Sequence, residues 1–167
     1  QEKLRLLDPI SADTIHKNNK KRVVRALEYA LTQNEPIYAH NEREKQKKSP
    51  YDYNFFVLNM DRKILYDRIE QRVDKMFDDG LVEEVRDLQH RGFHQNLVSM
   101  QGIGYKEVLE YLDGNCSLEE AIAQVKQSTR HFAKRQITWF KREKGAQWID
   151  VTKFHSPQDL AEFMAGE

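Results

Sequence analysis

Hydrophobic positions recur along this chain mostly at helical spacing, and the stretch Ser117 to Lys144 shows the pattern most clearly. At 100° per residue Leu118, Ile122, Val125, Phe132, Trp139 and Phe140 fall on one stripe, expected to face a core, with Gln136 embedded in it. Arg130, His131, Lys134, Arg135, Lys141 and Arg142 fall on the other side, and only Glu143 interrupts the positive charge between Arg130 and Lys144. Ser117-Leu-Glu-Glu120 has the spacing of a capping box, in which a hydroxyl and a carboxylate satisfy backbone N–H groups left free at a helix start. With no Gly or Pro inside it, the stretch predicts one helix of about 40 Å.

Earlier in the chain, Leu4, Leu6 and Leu7 read as helix, Asp8-Pro9 as its close, and Ser11 to His16 as a further short helix. Asn18-Asn19 can cap a helix from Lys20 to about Gln33, with Val23, Ala26, Leu27 and Ala30 as its apolar face. Asn34 to Asp52 has two prolines and the wholly polar run Glu42 to Lys48, which predicts a mobile linker and a boundary between two parts, 1–50 and 51–167. Tyr53 to Met60 is apolar enough for a strand buried on both faces. It runs into Asp61, an N-cap, and a helix to about Asp79 closed by Gly80, with Ile64, Ile69, Val73, Met76 and Phe77 turned inward. Leu81 to His90 predicts another helix. Gln101-Gly-Ile-Gly-Tyr-Lys106 then leads into a helix ending at Asp113-Gly114, Gln147 to Val151 is a short strand, and Ser156-Pro157 opens a last helix. The order describes an α-rich α/β protein.

Charge changes this picture locally rather than globally. The chain of 167 residues has 27 basic and 27 acidic residues, so any affinity for nucleic acid must come from patches. Two patches stand out: Lys17 to Arg25 and the basic side of the long helix. A solvated surface is the plain alternative for both. Arg22 and Arg25 project together at a spacing of three and could grip neighbouring phosphates. Gly102 and Gly104 allow close backbone approach, but Glu107 stands where a dinucleotide fingerprint needs its third Gly. Arg62, Arg68 and Arg72 recur near a helical turn, as partners for Asp67, Glu70 or Asp74 or as an anion site. No apolar run is long enough to span a bilayer, a single Cys116 excludes an internal disulfide, and no histidine spacing predicts a metal site. A soluble, cytoplasmic chain is expected. Its beginning at Gln1 predicts a fragment.

Five motifs in fixed order carry a resemblance. They are Asp8-Pro-Ile-Ser-Ala-Asp-Thr-Ile-His16, Lys21-Arg-Val-Val-Arg-Ala-Leu-Glu28, Asp61-Arg62 with Leu65 to Arg72, Gln101 to Glu107, and Thr129 to Trp139. Together they resemble the C-terminal half of bacterial tRNA dimethylallyltransferases (tRNA isopentenyltransferases). Lys17, Asn19 and Asn34 depart from that pattern, standing where Pro, Asp and Gly are usual.

The resemblance implies transfer of a dimethylallyl group from dimethylallyl diphosphate to N6 of adenosine 37, beside the tRNA anticodon. It implies tRNA contacts at Lys21, Arg22, Val23, Val24 and Arg25. It implies others at Gln101, Gly102, Ile103, Gly104, Tyr105 and Lys106, and at Lys134, Arg135, Gln136, Ile137, Thr138, Trp139, Phe140 and Lys141. Flipping a loop adenine needs such partners, phosphate clamps outside and amide or aromatic groups around the base. Arg72 would face the diphosphate leaving group.

The family resembles P-loop, ATP-binding-type kinases. Its phosphate loop, Mg²⁺ site and general-base Asp belong to an N-terminal half that these residues do not include. The implied fold is therefore a helical insertion domain plus the returning half of a P-loop-like parallel sheet core. The implied partners are the tRNA anticodon stem-loop and dimethylallyl diphosphate, with no membrane and a monomeric state. The fragment alone is expected to be inactive, and a stand-alone RNA-binding module is the rival reading.

Overall fold

Apolar side chains gather into two separate cores along the chain. The computed structural model describes residues 1–166 and divides into two units, Gln1–Tyr53 and the residues from Asn54 onward.

In the first unit, α1 (Glu2–Leu7), α2 (Pro9–Thr14), α3 (Lys20–Gln33) and α4 (Ile37–Gln46) follow one another. Leu4, Ala12, Val23 and Ala26 form the core, with Ile15, Leu27 and Ile37 packed against it. Asp8 joins three of these helices. Its backbone N–H closes α1 on the Leu4 carbonyl at 2.7 Å. Its carboxylate accepts from the Ser11 N–H at 3.0 Å, capping α2, and from the Tyr38 N–H at 3.1 Å in the first turn of α4. Burial by itself would push this carboxyl up, but hydrogen bonds from Ser11, Tyr38 and Ile37 outweigh it and hold the group below its ordinary value. Asn19 caps α3 by accepting from the Arg22 N–H at 3.3 Å, a role Asp fills equally well. Asn34 ends α3 in the left-handed region at φ 51°, a conformation Gly and Asn tolerate. Asn19 and Asn34 thus stand at the two ends of α3, which accept them.

The expected linker is in large part helix α4. Two features absent from composition order it. Ile37 reaches the core, and the polar run places opposite charges three apart, Lys45 with Glu42 and Lys47 with Glu44, both at 2.6 Å. Arg43 also grips Glu35 with both terminal guanidinium nitrogens.

The second unit opens with β1 (Phe56–Asn59), shorter than expected and not buried on both faces, because Val57 is buried while Leu58 is about half exposed. Among the described residues it has one neighbour, β2 (Gln147–Asp150), paired parallel with Phe56 opposite Gln147 and Asn59 opposite Asp150. Parallel strands need a crossover, here α5 (Arg62–Asp78), α6 (Leu81–His90), α7 (Tyr105–Leu112) and α8 (Leu118–Phe140). After β2 a short 3₁₀ turn leads to α9 (Pro157–Gly166), whose start is capped by Ser156 accepting from the Asp159 N–H at 3.1 Å. Asp61 caps α5 through the Lys63 and Ile64 N–H groups, and Gly80 leaves it at φ 103°. Ile69 and Val73 turn inward as expected, whereas Ile64 is exposed. Leu81, Val82, Val85, Met100, Val108 and Leu109 form the core between α6 and α7.

The long helix keeps its capping box, Ser117 Oγ accepting from the Glu120 N–H at 3.2 Å and Glu120 from the Ser117 N–H at 2.8 Å. It ends at Phe140 rather than Lys144. Its inward face is also rotated from the expected stripe. Ala121 and Val125 are buried, Ala133, Ile137 and Phe140 half-buried, while Phe132 (46% exposed) and Trp139 (55% exposed) lie outside. Gln136 is exposed and has no buried amide to satisfy. The stripe went astray because it weighted large aromatic residues over the small Ala121 and Ala133 that let α8 lie close to its neighbours.

Candidate nucleic-acid interface

The cations along α8 fall into two groups. Up to Arg130 they are paired, Lys126 with Asp74 and Arg130 with Glu70, both at 2.6 Å, so these residues staple α8 to α5. Arg130 therefore leaves the continuous basic face on which the sequence pattern puts it. Beyond Arg130, Lys134 and Arg135 on α8 and Lys141 and Arg142 just past its end are exposed and make no ion pair among the described residues. His131, Lys134, Arg135, Thr138, Trp139 and Arg142 line a shallow groove of about 420 Å³. The Arg135 guanidinium lies 5.8 Å from the centre of the Phe132 ring, and Trp139 meets Phe140 edge-on at 5.0 Å. Ile137 and Phe140 turn toward β1, whereas Thr138 faces out and donates its hydroxyl to the Lys134 carbonyl at 2.9 Å. Unpaired cations between exposed aromatic faces are the components that hold phosphates and unstacked bases.

The Gln101–Lys106 turn lies in the same unit. It enters α7 through Gly104 at φ 102°, a region that disfavours a side chain. Gln101 and Gly102 are exposed, Ile103 half-buried and Gly104 buried. The Gln101 amide donates to the Gln95 carbonyl, and the Lys106 ammonium lies 3.4 Å from Glu107. The Tyr105 hydroxyl donates to Glu84; that bond first, then burial, then the Glu84 charge, pushes the phenol above its ordinary value. The Tyr105 hydroxyl is thus engaged within the protein.

Glu107 escaped the sequence reading. It is 3% exposed and accepts from the Gly104 N–H at 2.8 Å and the Ser128 hydroxyl at 3.0 Å. An acid three residues after a helix-entry Gly was the available signal, the capping-box spacing already recognised at Ser117.

In the first unit Lys21, Arg22 and Arg25 are exposed on α3, without ion pairs among the described residues. Arg22 and Arg25 line a groove of about 790 Å³ whose opposite wall includes Tyr38, Asn41 and Lys45 of α4. Val23 is a core residue, while Val24 is about half exposed. Arg72 is exposed on α5 and unpaired among the described residues, since the neighbouring Glu70 and Asp74 are taken by α8. Arg62 instead lies over the Tyr66 ring at 5.0 Å.

The class so defined is a helix-rich α/β protein with basic, aromatic-flanked helical surface. A family model described as "IPP transferase" matches residues 1–143. The chain belongs to the IPP transferase family. It is 54% identical over 157 residues to the tRNA dimethylallyltransferase of Lachnoclostridium phytofermentans, covering 94% of this chain and 50% of that protein. It is 49% identical over 160 residues to that of Clostridioides difficile, covering 95% and 50%. The crystal structure of a tRNA isopentenylpyrophosphate transferase from Staphylococcus epidermidis superposes with a TM-score of 0.67 at 38% identity, over 99% of this chain and 54% of that one. A eukaryotic dimethylallyltransferase acting on tRNA superposes with a TM-score of 0.76 at 26% identity, over 98% and 44%. The chain spans about half the length of the curated relatives it matches.

Proposed function

We propose that this chain supplies the tRNA-contacting half of a tRNA dimethylallyltransferase, an enzyme that moves a dimethylallyl group from its diphosphate to N6 of an adenine beside the anticodon. The observation that carries the reading is the end of α8 and the residues just past it, where Lys134, Arg135, Lys141 and Arg142 lack ion pairs among the described residues beside the exposed Phe132 and Trp139, while Lys126 and Arg130 earlier in the helix are neutralised. A surface kept only for solubility has no need of that division.

In this reading Lys134, Arg135, Lys141 and Arg142 hold loop phosphates, and Trp139 and Phe132 give flat faces to unstacked bases. The Gln101–Lys106 turn adds backbone approach and an ammonium, and Arg22 and Arg25 hold phosphates through the first unit. Arg72 faces the diphosphate, where a guanidinium stabilises charge released as the C–O bond breaks. The whole family enzyme is proposed to use Mg²⁺. Among the described residues no group of three or more His, Cys, Asp or Glu is arranged to hold a metal ion, so no step is assigned to the ion in these residues. The residues of this chain on their own are proposed not to turn over.

Fluorescence anisotropy with an RNA hairpin carrying an unpaired adenine in its loop tests the reading. Wild type should bind, K134E/R135E should lose affinity on the order of tenfold or more, and K153E, on the exposed turn after β2, should not. Equal affinity of wild type and K134E/R135E would refute it. Binding without transfer, even with the remaining residues of a full-length relative supplied in trans, favours an RNA-binding module instead.

A further inference from the structure

We infer that Glu107 is a positioning residue that sets the Gln101–Lys106 turn against α8, an inference that rests on the RNA-binding reading. The Glu of a capping box ordinarily returns one oxygen to the helix start and leaves the other to water. Here the side chain is 4% exposed. One oxygen accepts from the Gly104 N–H at 2.8 Å, within the turn. The other accepts from the Ser128 hydroxyl at 3.0 Å, on a different helix and 21 residues away in sequence. The Lys106 ammonium, 3.4 Å from that second oxygen, offsets the buried charge.

The turn needs such a hold. Gly104 has φ 102° and ψ −56°, outside the ordinary basins, so its conformation must be fixed by what surrounds it. Ser128 is rigidly continuous with the free cations of α8, since Lys134 to Trp139 follow it in the same helix, about 9–16 Å along the axis. One carboxylate therefore keys both segments to each other, and a single RNA loop that touches both meets them in register. Gln95, Gln101, Gln124 and Gln127 line a polar groove of about 510 Å³ beside this tie, while on the inner side Gly104 lies against Leu81 and Met76 and Leu118 of α8 meets the core between α6 and α7.

S128A removes the link to α8 and leaves the α7 cap intact, which separates positioning from capping. E107A removes both. E107Q can still accept from Gly104 and meet Ser128 through its amide. With helical circular dichroism unchanged at room temperature, S128A and E107A should bind the hairpin about tenfold more weakly, and E107Q within about twofold of wild type. Wild-type affinity in folded S128A overturns the inference, and so does an E107Q as weak as E107A. A wild-type chain that binds no hairpin refutes the RNA reading instead. Hydrogen exchange then decides the tie: faster exchange of the Gly104 amide in S128A upholds it, and unchanged exchange ends it.

Discussion

Asp8 shows how one buried carboxylate organises the first unit. The hydrogen bonds it accepts from the Ser11 and Tyr38 N–H groups connect α2 and α4. D8A leaves those donors without their acceptor, and the expected cost is about 2 kcal/mol, read from denaturant unfolding. Because the folded pKa is depressed, this stability is present above the unfolded value of about 3.9 and is lost as pH falls through the folded value. The stability difference between wild type and D8A should therefore shrink as pH falls. Tyr105 gives the opposite kind of test. Its hydroxyl is engaged by Glu84, so Y105F should cost about 1 kcal/mol of stability and change hairpin affinity by less than about twofold. A larger loss of affinity would mean the hydroxyl turns to RNA.

At this scale the sequence was legible wherever chemistry is local. The caps at Asn19, Asp61, Ser117 and Ser156 all follow from spacing alone. Glu107 was not legible, because its second partner, Ser128, lies on another helix and no local pattern announces it.

Among elements, α4 and α8 carry the lesson. The run Glu42 to Lys48 is polar throughout, and composition alone assigns it to a linker; the order comes from Ile37 at its start and from charges spaced to pair along a helix. I37A should therefore speed amide exchange across α4 markedly, while R43A, which removes only an exposed pair, should leave it nearly unchanged. On α8 the helix and its capping box were readable but the rotation of its faces was not. Period alone does not say that Ala121 and Ala133, rather than Phe132 and Trp139, approach the neighbouring elements. Nor could it show that Asp74 and Glu70 would claim Lys126 and Arg130. S117A should lower stability by about 1 kcal/mol through the lost cap, without altering hairpin affinity in the folded protein.

The molecule as a whole divides its charge rather than accumulating it. With 27 basic and 27 acidic residues, affinity for a polyanion depends on which cations are left unpaired. The two strands β1 and β2 illustrate the same dependence on partners: Leu58 is exposed on a sheet that has only two strands among the described residues, although its sequence suits a fully buried strand.

The most direct test of the account is the salt dependence of hairpin binding by wild type and K134E/R135E. If the free cations of α8 hold phosphates, the wild-type logarithmic slope should be about −3 or steeper, and the double variant should flatten it by about 2. A wild-type slope near zero, or the same slope in both proteins, would contradict the assignment of this surface to RNA.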